Sequence, residues 1–405
     1  MKLRSGRDAR ALLALVLATV GSGVGAGQAT AAPGMEIALQ DDYVFVEQYY
    51  YGREAALVQA RQLGVSRLRV NVRWASVVRK ANARKAPRKP RYTWSKFDSL
   101  VSDAARHGIK LQVAFTGPAP RWATGNRKIG NRAVDPKRFG RFVRDAAKHF
   151  KGRVDRYSIW NEPNWHTQLE PANNCRKNDW NDGCDSKLGE LYRKLYVAGY
   201  RSIKAVDRRA EVLFGEFAPQ ASGTRREPKA WASSPLAILR EITCSKRNWK
   251  RAGKCPKLRA DGFAHHPYAF SSAPDKAVGG RDDVTLATLN RLTSAIDKLA
   301  RRGALRTPNG SKMELYLTEY GYHVAGKRKL SDTRRTAYLT KSFDMALAHP
   351  RVRQMLQYLL VGGPPRRDLF PTQLINHDGS PTGSFAPMVE WATLNAPNIA
   401  AAAAN

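Results

Sequence analysis

The sequence predicts a single (β/α)8 barrel, and three observations carry that prediction. Eight short segments rich in β-branched and aromatic residues alternate with amphipathic helical stretches, the rhythm of a parallel sheet covered by helices. The 374 residues left after a leader, out of 405, exceed a typical single domain but suit an α/β barrel. No repeat and no Pro- or Ser-rich linker breaks the pattern, so one domain over 32–405 is expected.

Taken in order, the chain opens with Lys2, Arg4, Arg7 and Arg10, then an apolar run from Ala11 to Val20 and a small-residue stretch ending Ala29-Thr30-Ala31. That is the plan of a secretory signal peptide. The run is short of the ~20 residues a spanning helix needs, which makes an amino-terminal anchor the weaker reading. Residues 1–31 are therefore expected to be removed, leaving a mature chain that is secreted and not membrane-bound.

Four cysteines, Cys175, Cys184, Cys244 and Cys255, follow the leader. An oxidising exterior would pair them. Of the three possible connectivities, Cys175 with Cys184 and Cys244 with Cys255 is favoured. Each pair closes a short loop rich in Asn, Asp, Lys or Gly, and in a barrel the two loops fall at opposite ends, too far apart for cross-pairing. No CxxC or neighbouring His spacing supports zinc, so no metal is expected.

The formal charge is +35, of which the leader accounts for +3. Such a surface attracts anionic polymers, with cell-wall material one candidate partner. Its densest stretch, Arg79 to Arg91, holds seven basic residues with Pro87 and Pro90, and reads as a solvated loop. It interleaves no aromatic residues in the manner of a nucleic-acid groove, so no nucleic-acid partner is expected.

The expected strands are Met35–Leu39, Arg67–Val72, Lys110–Phe115, Val154–Ile159, Glu211–Phe214, Gly262–His265, Glu314–Thr318 and Gln354–Leu360. Between them, Phe97, Leu100, Val101, Ala104 and Ala105 stand at helical spacing before Gly108. Asp135 and Pro136 cap a helix carrying Phe139, Phe142, Val143 and Ala146. Leu286, Leu289, Leu292, Ile296 and Leu299 form a further stripe closed by Gly303, and Tyr338, Leu339, Phe343 and Leu347 another. These stripes are core, not cofactor boxes.

In a barrel of this kind chemistry gathers at the carboxyl ends of the strands. Glu162 follows the fourth strand within Trp160-Asn161-Glu162-Pro163-Asn164, and Glu319 ends the seventh after Leu315-Tyr316-Leu317-Thr318. Two carboxyl groups facing each other across the mouth are what glycosidic bond cleavage requires. A gap of about 5–5.5 Å implies retention of configuration, and roughly 6.5–9.5 Å implies inversion.

The Trp160-Asn161-Glu162-Pro163 and Thr318-Glu319-Tyr320-Gly321 segments resemble the clan of retaining (β/α)8 glycosidases that includes cellulase-type and β-xylosidase-type families. Arg69-Val70-Asn71-Val72-Arg73-Trp74 on strand two and His266-Pro267-Tyr268 after strand six fall in the same order, so the likeness covers nearly all of the mature chain. It implies that Glu162 is the acid/base and Glu319 the nucleophile of a secreted hydrolase acting on a poly- or oligosaccharide, through O-glycosidic bonds of β type. It further implies that Asn161 meets the sugar 2-hydroxyl and that Arg69 and Tyr268 keep Glu319 charged and oriented.

Other readings stand beside these. Arg69 would equally serve a structural carboxylate, His266 a hydrogen-bonded niche, and His265 the core. Glu216, closing strand five, is the rival third carboxylate and is expected to touch substrate. Trp74, Trp122, Trp165, Tyr268 and Tyr322 follow strand ends and are candidate sugar platforms, three of the five being expected to touch substrate. The eighth strand lacks the Trp that many clan members carry there, and Phe370 is the candidate substitute. No cofactor is implied, and a monomer is expected. A non-catalytic binder of an acidic wall polymer and a transglycosylase using the same residues are the alternatives.

Overall fold

Eight parallel strands close into a barrel in which each pairs with its sequence neighbours and the last returns to the first. This computed structural model describes residues 34–171, 184–222, 232–364 and 370–399. The strands are β1 (Glu36–Gln40), β2 (Val65–Arg73), β3 (Lys110–Thr116), β4 (Arg156–Ile159), β5 (Glu211–Phe217), β6 (Gly262–His265), β7 (Leu315–Leu317) and β8 (Val352–Tyr358). A helix follows each in turn: α1 (Arg53–Gln62), α2 (Ser95–Arg106), α3 (Pro136–Phe150), α4 (Cys184–Val206), α5 (Pro235–Thr243), α6 (Leu289–Arg301), α7 (Asp332–Ala348) and α8 (Phe385–Leu394). The expected single-domain barrel is thus the one observed. No helix among the described residues is long and apolar enough to cross a membrane.

Local sequence explains the helix ends. Asp135 accepts from the backbone N–H groups of Lys137 (2.9 Å) and Arg138 (3.1 Å), and Pro136 needs no N–H in the first turn. The stripe beginning at Leu286 starts as a single 3-10 turn, closed by a reciprocal Thr285–Thr288 capping box, before α6 proper.

Several strand bounds differ from expectation for identifiable reasons. The apolar run Leu359-Leu360-Val361 reads as strand, but Leu359 has φ 62° and turns the chain out of β8. The freed N–H groups of Leu360 and Val361 donate to Asp41 at 3.2 and 3.1 Å, which ties the end of β1 to the end of β8. β5 runs past Phe214 because a bulge between Gly215 and Phe217 shifts its register against β6. Gly215 sits there at φ 116°, and a Cβ would lie 2.4 Å from the Ala264 carbonyl oxygen. A short parallel ribbon, Leu258–Arg259 with Leu305–Arg306, lies outside the barrel and was not expected from the sequence.

Inside the barrel, side chains two apart on one strand share a face. Arg67 and Arg69 of β2 therefore both point inward, at different heights. Arg67 closes the amino-terminal end with Glu36 (2.9 Å) and Asp155 (2.6 Å), while Arg156 pairs with Glu211 (2.6 Å) and Glu36. Arg69 is left to the opposite end.

Three peripheral features recur below. The segment 79–91 is pinched at its base by a Val78–Tyr92 bridge; all seven of its basic residues are exposed, as expected of a solvated loop, while Ala81, Ala83 and Ala86 pack against the core. The Cys244–Cys255 disulfide is present with Cα atoms 5.9 Å apart. The expected Cys175–Cys184 pair and the leader lie outside the described residues. At the amino-terminal end of the barrel, Gly34 N–H donates to the Asn398 carbonyl at 3.1 Å, and Met35 bridges Ile399.

Candidate active site

Seven of the eight strands deliver polar side chains to one cluster at the carboxyl end of the barrel. β4 ends in a turn where Trp160 and Glu162 take φ 72° and 42°. The strain of a left-handed non-glycine residue is held in place by specific bonds. Trp160 Nε1 donates to the Gln168 carbonyl (2.7 Å), and Glu162 N–H donates to the Glu216 carbonyl (2.9 Å). Asn164, fully buried, donates to the carbonyls of Ala218 and Ser233 and accepts from Ala218 N–H, which locks the loop after β4 to that after β5.

Arg69 is the hub. Its guanidinium has no exposed surface. It donates to Glu319 (2.9 Å), Glu216 (3.1 Å), Asn161 (2.7 Å) and Gln40. The fork geometry of Arg allows this many partners in one plane. Tyr268 adds a hydroxyl donated to the second Glu319 oxygen at 3.3 Å. His266 stands between three carboxylates, with Nδ1 3.1 Å from Glu162 and 3.6 Å from Glu319, and Nε2 2.9 Å from Glu216. One ligand atom each of Glu162, His266 and Glu319 lies within 4.8 Å of the others.

Charge decides the protonation pattern. Burial would lower the proton affinity of His266, but Glu319, Glu162 and Glu216 outweigh burial and push it up to about 9. Burial would likewise raise Glu216, yet Arg69 and His266 hold its carboxyl at about 2. Glu319 is pushed above the ordinary glutamate value, chiefly by burial, with His266 and Arg69 opposing and Glu162 and Glu216 adding to the rise. Three carboxylates thus face two cations. The same trio of Glu162, His266 and Glu319 has the spacing of a metal site. Both His266 ring nitrogens already face carboxylates, and a cation there would have to displace the imidazolium proton beside Arg69.

The remaining expected residues divide sharply. Glu216 has no exposed surface and is enclosed by Arg69, His266 and the Thr318 hydroxyl (2.6 Å), so it does not face the mouth as a substrate contact would. Trp74 is equally buried, stacked on Phe142 of α3 at 5.2 Å and 7°, with Trp122 edge-on at 5.4 Å. A helical turn at Trp74–Val77 follows β2 directly and carries the ring under α3 instead of into the mouth. Tyr322 is core, bonded to Tyr320 and the Ser272 carbonyl. Trp165 stays partly exposed three residues beyond Glu162, its N–H bonded to the Glu162 carbonyl at 2.8 Å. His265 is core, held by the Val284 carbonyl at 2.8 Å. Phe370 packs edge-on against Tyr268 (5.1 Å) and Tyr358 (5.9 Å) at the β8 end of the mouth.

Gln40, Gln112 and Thr318 were not anticipated. Each supports the cluster, Gln40 by accepting from Arg69 and the other two by donating to Glu216. The available signal was a polar residue interrupting an otherwise apolar strand.

Neither a protein-family model nor a curated protein matches the chain. Solved structures do. A family 39 glycoside hydrolase from the gut symbiont Bacteroides cellulosilyticus is 18% identical, with a TM-score of 0.63 over 89% of this chain and 64% of that one. The chain therefore spans less than two thirds of that protein. A glucosidase from Croceicoccus marinus (13% identical, TM-score 0.56, 90% and 69% covered) and a monomeric β-xylosidase from Caulobacter crescentus (18%, 0.54, 89% and 69%) are also similar. The likeness is one of fold: the chain has the barrel found in these glycoside hydrolases.

Proposed function

We propose that the protein is a retaining glycoside hydrolase that cleaves O-glycosidic bonds, of β type, in a poly- or oligosaccharide, with Glu162 as acid/base and Glu319 as nucleophile. The observation that carries this reading is the approach of their carboxylate oxygens to within 4.8 Å, close to the ~5–5.5 Å separation of direct attack and well short of the roughly 6.5–9.5 Å that leaves room for a water. Similar structures named as glycosidases support the same class.

In the first step Glu162 gives its proton to the departing glycosidic oxygen while a Glu319 oxygen bonds the anomeric carbon. Arg69 and Tyr268 both donate to Glu319 and favour its ionised form, the form that attacks. In the second step Glu162, now a carboxylate, takes a proton from water as that water displaces Glu319. Two inversions give net retention. Asn161 has its oxygen occupied by Arg69, so its amide nitrogen is the group offered to the sugar 2-hydroxyl. Glu216 acts from beneath as a positioning residue for Arg69 and His266. Trp165 and Phe370 supply apolar surface at the mouth. Secretion, with removal of 1–31, fits the disulfide at Cys244–Cys255.

The test is incubation with a panel of activated 2-fluoro-glycosides, followed by peptide mapping. The reading expects stoichiometric label on Glu319, and its loss in Glu319→Ala. Label on another residue, or an inverted product anomer, would overturn it.

A further inference from the structure

We propose that the groove between α3 and the 79–91 wall is a second binding site, separate from the catalytic mouth, for a carboxylated polysaccharide. The groove encloses about 530 Å³. One side is a helical stripe, Arg138, Arg141 and Arg144, at intervals of three residues; the other is Arg88 and Lys89 of the 79–91 segment. Against these five cations Asp145 is the one carboxylate lining the groove. Among the described residues Arg88, Lys89, Arg141 and Arg144 are exposed and make no ion pair, although elsewhere on this chain arginines such as Arg240 and Arg351 are matched by Asp282 and Asp297. Cations left unmatched on two facing walls, one anchored at its base by the Val78–Tyr92 bridge, form a channel for a linear polyanion.

Spacing and floor select the kind of polyanion. Successive charges on the stripe rise by about 4.5 Å along the helix, comparable to the length of one pyranose unit and sparser than the one phosphate per ~3.4 Å along a DNA strand. A single-stranded nucleic acid needs free aromatic faces. Here Tyr92 stacks on Trp94 at 5.3 Å, and Trp94 on His149 at 5.2 Å, so those faces are consumed within the floor. The floor supplies rigidity, and the cations supply recognition. Trp122, from the loop after β3, joins the same groove, which places its upper end on the side of the barrel where the mouth opens.

The test compares Arg141→Glu/Arg144→Glu with Arg208→Glu/Arg209→Glu, an equal change of charge on exposed residues preceding β5, at the amino-terminal end of the barrel. Binding to polygalacturonate is measured by affinity electrophoresis over a salt series, beside a neutral glucan, polyphosphate and single-stranded DNA. The proposal expects polygalacturonate to be bound preferentially. It expects the groove variant to weaken that binding by at least about tenfold at low salt, where charge is least screened, and the control to weaken it by no more than about twofold. Equal losses in the two variants, no binding by the unaltered protein, or preference for polyphosphate or DNA would overturn it. Unchanged melting temperature certifies the variants without reference to catalysis, so failure of the groove and failure of the hydrolase reading are told apart.

Discussion

Nη1 of Arg69 lies 2.9 Å from Oε1 of Glu319, with the guanidinium wholly buried. The same group binds Glu216, Asn161 and Gln40, so one side chain sets both the charge and the orientation of the proposed nucleophile.

Arg69→Lys keeps the positive charge but loses the fork. A single ammonium cannot hold four partners in their present directions. kcat/KM on an aryl glycoside is expected to fall about 100-fold or more, the scale of losing a preorganised electrostatic contact. Steady-state kinetics would check this, and a decrease of less than tenfold would remove Arg69 from the mechanism.

Glu319 must be ionised to attack, and its proton affinity is raised above 4.5, first by burial. Activity is therefore expected to fall on acidification with a midpoint above pH 4.5, not below it. A kcat/KM profile between pH 3 and 8 reads that limb directly.

His266 and Glu216 link stability to pH in opposite directions. The His266 value rises from 6.5 to about 9, so its contribution is fully present below pH 6.5 and is lost as pH rises through 9. The Glu216 value falls from 4.5 to about 2, so its contribution is present above pH 4.5 and is lost as pH falls through 2. Urea midpoints against pH should show a plateau between these limbs, and His266→Gln should flatten the alkaline one.

Trp74 and Trp165 should separate cleanly. Trp74→Ala removes a ring packed between Phe142 and Trp122 and should cost about 3–5 kcal/mol of stability. Trp165→Ala should leave the melting temperature nearly unchanged and raise KM. Chemical denaturation and kinetics on both variants provide the comparison.

Replacing Cys244 and Cys255 by Ser opens a short surface loop and should cost about 2–3 kcal/mol, seen as a lower melting temperature.

Barrel order and the positions of Glu162 and Glu319 were legible because strand ends have a fixed meaning in this fold, and Arg69, His266 and Tyr268 were legible through the motif resemblance. Depth was not. Glu216 also ends a strand, yet the Gly215 bulge drives it inward; Gly215 marks the bulge, but Glu216's own positive φ leaves no trace in a glutamate. Trp74 follows a strand just as Trp165 follows a turn, but an immediate helical turn hides the first ring. The end of β8 was misread because Leu359-Leu360-Val361 is apolar for a different reason: the run leaves the sheet at a left-handed residue and packs beside Asp41. Gln40, Gln112 and Thr318 were hidden by their neutrality, since uncharged polar residues inside strands attract attention only when the layer they share is known.

The contact of Gly34 with Asn398 brings both ends of the described chain to the underside of the barrel, away from the rim that carries Glu162 and Glu319. A carrier or surface tether attached at either end would hold the protein by its base, leaving the opening turned outward and the approach of a long chain unobstructed. For the same reason a short peptide joining residues 34 and 399 would permit new ends to be cut elsewhere on the circumference without disturbing the hydrogen-bonded ring.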